Sequence, residues 1–519
     1  MNIWQDLVKT AVVGTQRQQL KIITQDNQLG EVLNRLDRND KEGFLLGAAG
    51  VISLYQKAGK LTAIDSKKTV ETCDLDDLPF CSQDSEQHLG MILSGEYSAF
   101  LSEWLTLLAE AKKVVSPKYL PELLTLGKRQ NYLQKDILPV LGKRGIWLAA
   151  QNPDWNYVSG EDADKIWKSG SLEARIKLLK ELRQSEAGKG RSTHQRCGRS
   201  QLQNIWSKER APERASLLEV LEVGLSVDDE PFLEDALNDR SKQVRDVAAR
   251  LLAQIPESKL VQRMIERVRP LLNLDSNGIE VILPKNCTLE MTQDGIDESK
   301  YIPSLGEKAS LLLQMVAFVP PSIWSDDWKK TPDELIKIIK KSKWEKLFLE
   351  AWAIATVRSQ DTAWAEAFLK VSAKLSKNLS NSDDLIQKML KILPYSEVQH
   401  LILYVLQQNP NTPFNSGNPA FPLLVHTPYI WNEEISRAVI SSIKRHFESN
   451  HQVNSWQFDS ALGHFSVKIA PSIYHEAAEN ITFEESEIHE SVIKTIDKFL
   501  AKLQFRYEMK QAILTNVET

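Results

Sequence analysis

Cys73, Cys81 and His88 put two thiols and an imidazole in one short stretch, and these are ligands that zinc selects. A structural zinc site closes with cysteine pairs two to four residues apart and with four ligands in all. Neither condition is met here, so no metal is expected. His475-Glu476-Ala477-Ala478-Glu479 follows the order of the helical His-Glu-x-x-His zinc motif, but glutamate replaces the second imidazole. With Glu484, Glu485, Glu487 and Glu490 after it, the segment reads as a solvated acidic stretch. Gly188-Lys189-Gly190-Arg191-Ser192 has the composition of a phosphate loop without the glycine needed five positions before the Gly-Lys pair. Gly127-Lys128 and Gly142-Lys143 fail the same test. No Gly-x-Ser-x-Gly elbow and no dinucleotide fingerprint occurs. No cofactor is expected, and a non-catalytic protein is favoured over an enzyme.

One pattern does recur. An arginine is followed by small or aliphatic residues three, four and seven positions later in Arg175-Leu178-Leu179-Leu182, Arg214-Leu217-Leu218-Leu221 and Arg245-Ala248-Ala249-Leu252. Those offsets lie on one face of an α-helix. In the third copy Asp228-Asp229-Glu230-Pro231 opens a short helix, Asn238-Asp239-Arg240-Ser241 turns, and residues 242–254 form a second helix closed by Pro256. Stacked helical pairs of this kind build binding surfaces. Arg175, Arg214 and Arg245 are therefore candidate partner-binding residues, a row of cations on a concave face. The competing assignment, which carries more weight, pairs each arginine with a turn carboxylate of its own repeat, for example Arg245 with Asp239.

Composition narrows the function classes. The 519 residues, 42% hydrophobic and 26% charged, are ordinary for a folded chain too long for one compact core. A formal net charge of −5 gives no field that argues for nucleic acid or an anionic membrane. Residues 189–210 hold Lys189, Arg191, Arg196, Arg199, Lys208 and Arg210, yet Trp206 is the one aromatic residue among them, so a solvated basic loop is expected. Four irregularly spaced cysteines suit a reducing compartment. With no leader and no bilayer-length apolar run, a cytoplasmic protein without a membrane span is expected. The 13 tryptophans read as plugs between helices.

Along the chain, residues 1–158 read as an N-terminal helical unit, including a helix over 45–56 apolar nearly all round and therefore buried. Residues 159–275 hold the repeats, broken at 188–199 by glycines and polar residues that predict a flexible loop. Residues 276–304 predict a β-hairpin insertion in which Ile279-Glu280-Val281-Ile282-Leu283 pairs with Leu289-Glu290-Met291. Residues 305–519 return to helices, anchored by Trp344, Phe348, Trp352 and Trp364.

Several phrases together resemble an uncharacterised bacterial family of domain-of-unknown-function proteins. They are Trp4-Gln5-Asp6-Leu7-Val8-Lys9-Thr10-Ala11 with Gly14-Thr15-Gln16-Arg17, and Leu141-Gly142-Lys143-Arg144-Gly145 with Asn152-Pro153-Asp154-Trp155. Asp229-Glu230-Pro231-Phe232-Leu233-Glu234 and Leu305-Gly306-Glu307-Lys308-Ala309 with Pro320-Pro321 and Trp324 follow in the same order. The resemblance covers roughly residues 1–370. It implies a HEAT-like repeat architecture and an encoded neighbourhood of MoxR-type AAA ATPases, von Willebrand A domain proteins and SWIM zinc-finger proteins. It implies no catalytic residues. Such proteins look helical at residues 188–199, where this sequence departs from the pattern.

The expectation is thus an all-α protein, a HEAT-like α-solenoid of stacked helical hairpins with a small β-hairpin insertion. Its expected role is a scaffold or adaptor that binds proteins, with an AAA ATPase of the MoxR type and a von Willebrand A domain protein as partners. The alternative is a helical-repeat nucleic-acid binder or enzyme, glycosylase-like or bilin-lyase-like, which would need a basic groove or an acidic residue in a concave pocket.

Overall fold

The structure, a computed structural model, describes residues 3–20, 28–58, 72–159, 163–187, 193–276, 278–299, 302, 304–371, 381–415, 417–448, 455–481 and 490–515. These residues are mainly helical and hold one two-stranded antiparallel sheet. The chain divides into two compact units, Met1–Cys73 and Asp74–Thr519.

In the first unit, helices Ile3–Val13, Gln28–Asn34 and Lys41–Ala58 enclose a small core of Leu7, Leu33, Ala48 and Ile52. Gly14 ends the first helix at φ +93°, a conformation that costs residues with a Cβ. The helix over 45–56 is not buried all round, as its composition suggests. Phe44, Ala48 and Ile52 face inward, while Leu46, Leu54 and Tyr55 are exposed.

The second unit has two cores. Residues 83–150 wind short helices around Trp104, Leu105, Leu123, Leu124 and Ile137, all fully buried. From residue 163 onward a larger core runs through successive helices, each packed on its near neighbours in sequence. Glu230–Ala236 and Lys242–Leu252 form a helical pair around the turn at residues 238–241, and the latter buries Val244, Val247, Ala248, Ala249, Leu251 and Leu252.

Two expectations are corrected here. Of residues 188–199, the first five lie outside the described residues. From Thr193 the chain is not a loop but the helix Thr193–Ile205. Gly198 belongs in that helix because a Cβ there would stand 3.3 Å from Leu179 Cδ1, so the glycine lets the helix close on Leu172–Ala187. The hairpin is real but its partner strand lies upstream. Gly278–Val281 pairs with Leu272–Asp275, Leu272 opposite Val281 and Asp275 opposite Gly278. Leu289–Gln293 is a helix instead, started by the Thr288 hydroxyl, which accepts the Met291 N–H.

Tryptophans fill the core of the 305–370 region. Trp324, Trp328, Trp352 and Trp364 follow one another at ring separations of 5.1, 6.5 and 5.0 Å. The last helix, Glu490–Leu514, joins the two cores of this unit. Its Ile496, Phe499 and Leu503 belong to the larger core, and its Phe505, Met509 and Ile513 to the core of residues 89–149.

Candidate functional site

The three repeat arginines are brought into one line of internal bonds. Arg175 donates to the Glu209 carboxylate at 2.6 Å, and the Glu209 carbonyl accepts from Arg214 at 2.8 Å. Arg214 meets both oxygens of Asp239 at 3.1 and 3.0 Å, and the Asp239 carbonyl accepts from Arg245 at 2.8 Å. Glu209 and Asp239 thus each take one arginine of the line on the carboxylate and the next on the carbonyl. The bonds tie successive turns together and satisfy carbonyls that the short helices leave open. Trp206 is held in the same layer, edge to Phe232 at 5.0 Å and beneath Arg214 at 5.6 Å.

The other sequence candidates are dispersed. Cys73 falls in the first unit, and Cys81 and His88 in the second. Burial pushes the Cys81 thiol up, away from the thiolate that binds metal. His88 Nδ1 lies 2.7 Å from its own helix's Asp84 carbonyl. Among the described residues no three His, Cys, Asp or Glu side chains group as a metal site. Glu476 is taken by Arg437 at 2.6 and 2.8 Å, which holds its carboxyl below the usual range. Residues 188–192 lie outside the described residues. Lys128 and Lys143 pair with Asp154 and Asp77.

Open chemistry also lies in a groove that none of these residues marks. It runs across helices Lys242–Leu252, Glu307–Val316, Glu345–Ser359 and Ser382–Ile392 as two recesses of about 630 and 420 Å³. Arg250, Ile354 and Arg358 line both. Most charges in the groove are neutralised from within. Lys242 pairs with Asp297 at 2.5 Å, Arg250 with Glu219 at 2.9 Å, and Lys388 with Asp384 at 2.8 Å. Two are not. Arg358 donates to the Ala317 carbonyl at 2.9 Å and lies over the Phe318 ring at 4.6 Å, with no carboxylate partner among the described residues. Burial, and then the charge of Arg250, push it down to about 10, which leaves it a cation at neutral pH. Glu350 is 6% exposed, and its Oε2 is sealed from solvent without a hydrogen-bond partner.

The sequence did carry a sign of this site. Glu350 is the lone charge in Leu347-Phe348-Leu349-Glu350-Ala351-Trp352-Ala353-Ile354-Ala355, where an apolar residue would pack without penalty.

A second cleft, of about 1040 Å³, lies between the hairpin and helix Pro332–Ile339 with the turn that follows it. Lys330, Lys337, Lys340, Lys341 and Lys343 line it against a single carboxylate, Asp275. The crowding of lysines over residues 337–346 was visible in the sequence.

Comparison with curated proteins and with solved structures finds no match. A family model does match residues 6–513, nearly the whole length, and so includes both the arginine line and the groove. The chain therefore belongs to the family of unknown function DUF5691.

Proposed function

We propose that the protein is a non-catalytic scaffold or adaptor, and that it holds a partner protein in the groove across helices Lys242–Leu252, Glu345–Ser359 and Ser382–Ile392. In this reading the helices from residue 163 onward are a HEAT-like α-solenoid, and the groove is the inner face of its second helices. The neighbour-to-neighbour packing and the repeating arginine line support that architecture. The observation that carries the function is the pair of inward-drawn charges in the groove, Glu350 and Arg358, neither of which forms an ion pair among the described residues. A partner that brought opposite charges would satisfy both in a largely desolvated setting, where such pairs count most.

The partners this reading names are an AAA ATPase of the MoxR type and a von Willebrand A domain protein, met in the cytoplasm. Among the described residues no helix is long and apolar enough to cross a membrane. Co-expression and co-purification with the host's own proteins of these two kinds tests the assignment. Wild-type protein should retain at least one of them, and Arg358→Glu should lower the retained amount about tenfold, a change of about 1.4 kcal/mol. Equal retention by both proteins would remove the groove from the account.

The lysine cleft favours a second reading, a nucleic-acid binder of helical-repeat type. Retention on a DNA column that falls steeply with salt and is lost in Lys337→Glu/Lys341→Glu would promote it over the scaffold. An acidic chain that flows through at low salt would dismiss it.

A further inference from the structure

Glu350 sits mid-helix between Leu349 and Ala351, which are 1% and 0% exposed. Among the described residues no N–H, hydroxyl or cation bonds its carboxylate, yet it lines the 420 Å³ recess. A buried carboxylate in that setting costs several kcal/mol relative to an apolar side chain. Its neighbours do not supply the missing charge. Of the cations lining the recess, Arg250 is held by Glu219 and Glu222, and Lys388 by Asp384, while Lys391 is exposed at the rim and makes no bond to Glu350 among the described residues. Arg358 gives its hydrogen bond to a carbonyl and its face to a phenyl ring.

Glu350 and Arg358 are eight residues apart on one helix, hence about 12 Å apart along its axis. An extended peptide covers that distance in about four residues at ~3.3 Å each. The groove therefore presents an acceptor and a donor at a spacing one strand-like segment can bridge.

We propose that Glu350 is the receptor for a basic side chain, arginine best, on an extended segment of the partner protein, with an aspartate or glutamate about four residues away on that segment meeting Arg358. Arginine is favoured because its planar fork satisfies both carboxylate oxygens at once. This rests on the groove reading above and adds the chemistry of what enters it.

The test uses the full-length protein and a displayed library of random peptides about twelve residues long. Selection on wild type should enrich arginine, with an acidic residue three to five positions away. Binding of the selected peptides should weaken about tenfold on Glu350→Gln. Replacing the peptide's acidic residue should weaken binding to wild type but not to Arg358→Gln. Glu350→Gln should melt at or above the wild-type temperature, because no internal bond is lost; a fall of more than a few degrees would make the carboxylate structural and overturn the proposal. Peptides that need Arg358 but show no basic preference would overturn it too, while leaving the groove as a docking site. A library that yields no peptide sensitive to either substitution would end both readings together.

Discussion

Arg506 and Glu103, 403 residues apart, meet through a two-pronged ion pair with Nε–Oε2 at 2.7 Å and Nη2–Oε1 at 2.8 Å. Arg506 is fully buried, and its remaining donors reach the carbonyls of Ser466 and Ile469 at 2.8 and 2.6 Å. Nearby, Lys113 Nζ donates to the carbonyls of Ile513 and Thr515, and the Ser82 hydroxyl to that of Ala512. The last helix is thereby clasped to the first helices of its unit.

Removing one side of this clasp should be costly, since it strands a buried charge. Arg506→Leu is expected to lower stability by about 3–5 kcal/mol in urea unfolding. Arg506→Lys, which keeps the charge but not the fork, should fall between. Amide exchange over residues 505–515 should accelerate in both. A loss under about 1 kcal/mol would mean the apolar contacts of Phe505, Met509 and Ile513 hold the helix alone.

The arginine line makes a graded forecast. Arg214→Ala removes two bonds to Asp239 and one to the Glu209 carbonyl, for an expected loss of about 2–3 kcal/mol. Arg245→Ala removes only carbonyl contacts and should cost about 1 kcal/mol. Leu252→Asp, at a fully buried position, should unfold the helices packed around Lys242–Leu252. The ranking is read from urea midpoints, and a reversed order of the two arginines would refute the inter-repeat assignment.

Gly295 has φ +91°, and a Cβ there would stand 2.6 Å from Ala249 Cβ on the helix Lys242–Leu252. Gly295→Ala should therefore destabilise by about 2–3 kcal/mol. Adding Ala249→Gly should recover part of the loss, since it relieves the contact but not the backbone. Thermal melts of the single and double variants decide this, and a double variant no better than the single one would place the whole cost in the backbone.

The helices of residues 163–254 are largely legible in the sequence, because period 3.6 survives in residues such as Leu217, Leu218 and Leu221 whatever their neighbours do. The cross-repeat pairing is not, because Arg214 and Asp239 meet only after two helices have stacked. The hairpin was half read. Ile279-Glu280-Val281 was seen as a strand, while Asn277-Gly278, a strong turn signal, points to the upstream partner Leu272–Asp275. Gly198 was misread because glycine marks close helix contact as well as loops. Glu350 is hidden in the sequence among its apolar neighbours, because only stacking reveals that its Oε2 is sealed off without a hydrogen-bond partner among the described residues.

The Asp297 carboxyl is held down to about 2, first by its bond to Lys242 and then, against the opposing effect of burial, by Ser299. A folded-state value below the unfolded one stabilises the fold above about pH 4, and that contribution fades as pH falls from 4 towards 2. Wild type and Asp297→Asn should therefore differ in urea midpoint at pH 7 and converge near pH 2. A gap that stays constant across this window would assign the difference to packing instead.

The clasp between Glu103 and Arg506 has a bearing on how this architecture can vary over time. A row with two loose ends tolerates gaining or losing a helical pair, since nothing downstream must still reach a fixed mate. Here, excising one pair between those residues would shift the mates by roughly a helix diameter, about 8–10 Å, far beyond the reach of an ion pair. An insertion or deletion in this unit is therefore expected to be tolerated in its connecting segments and not in the helices between Glu103 and Arg506.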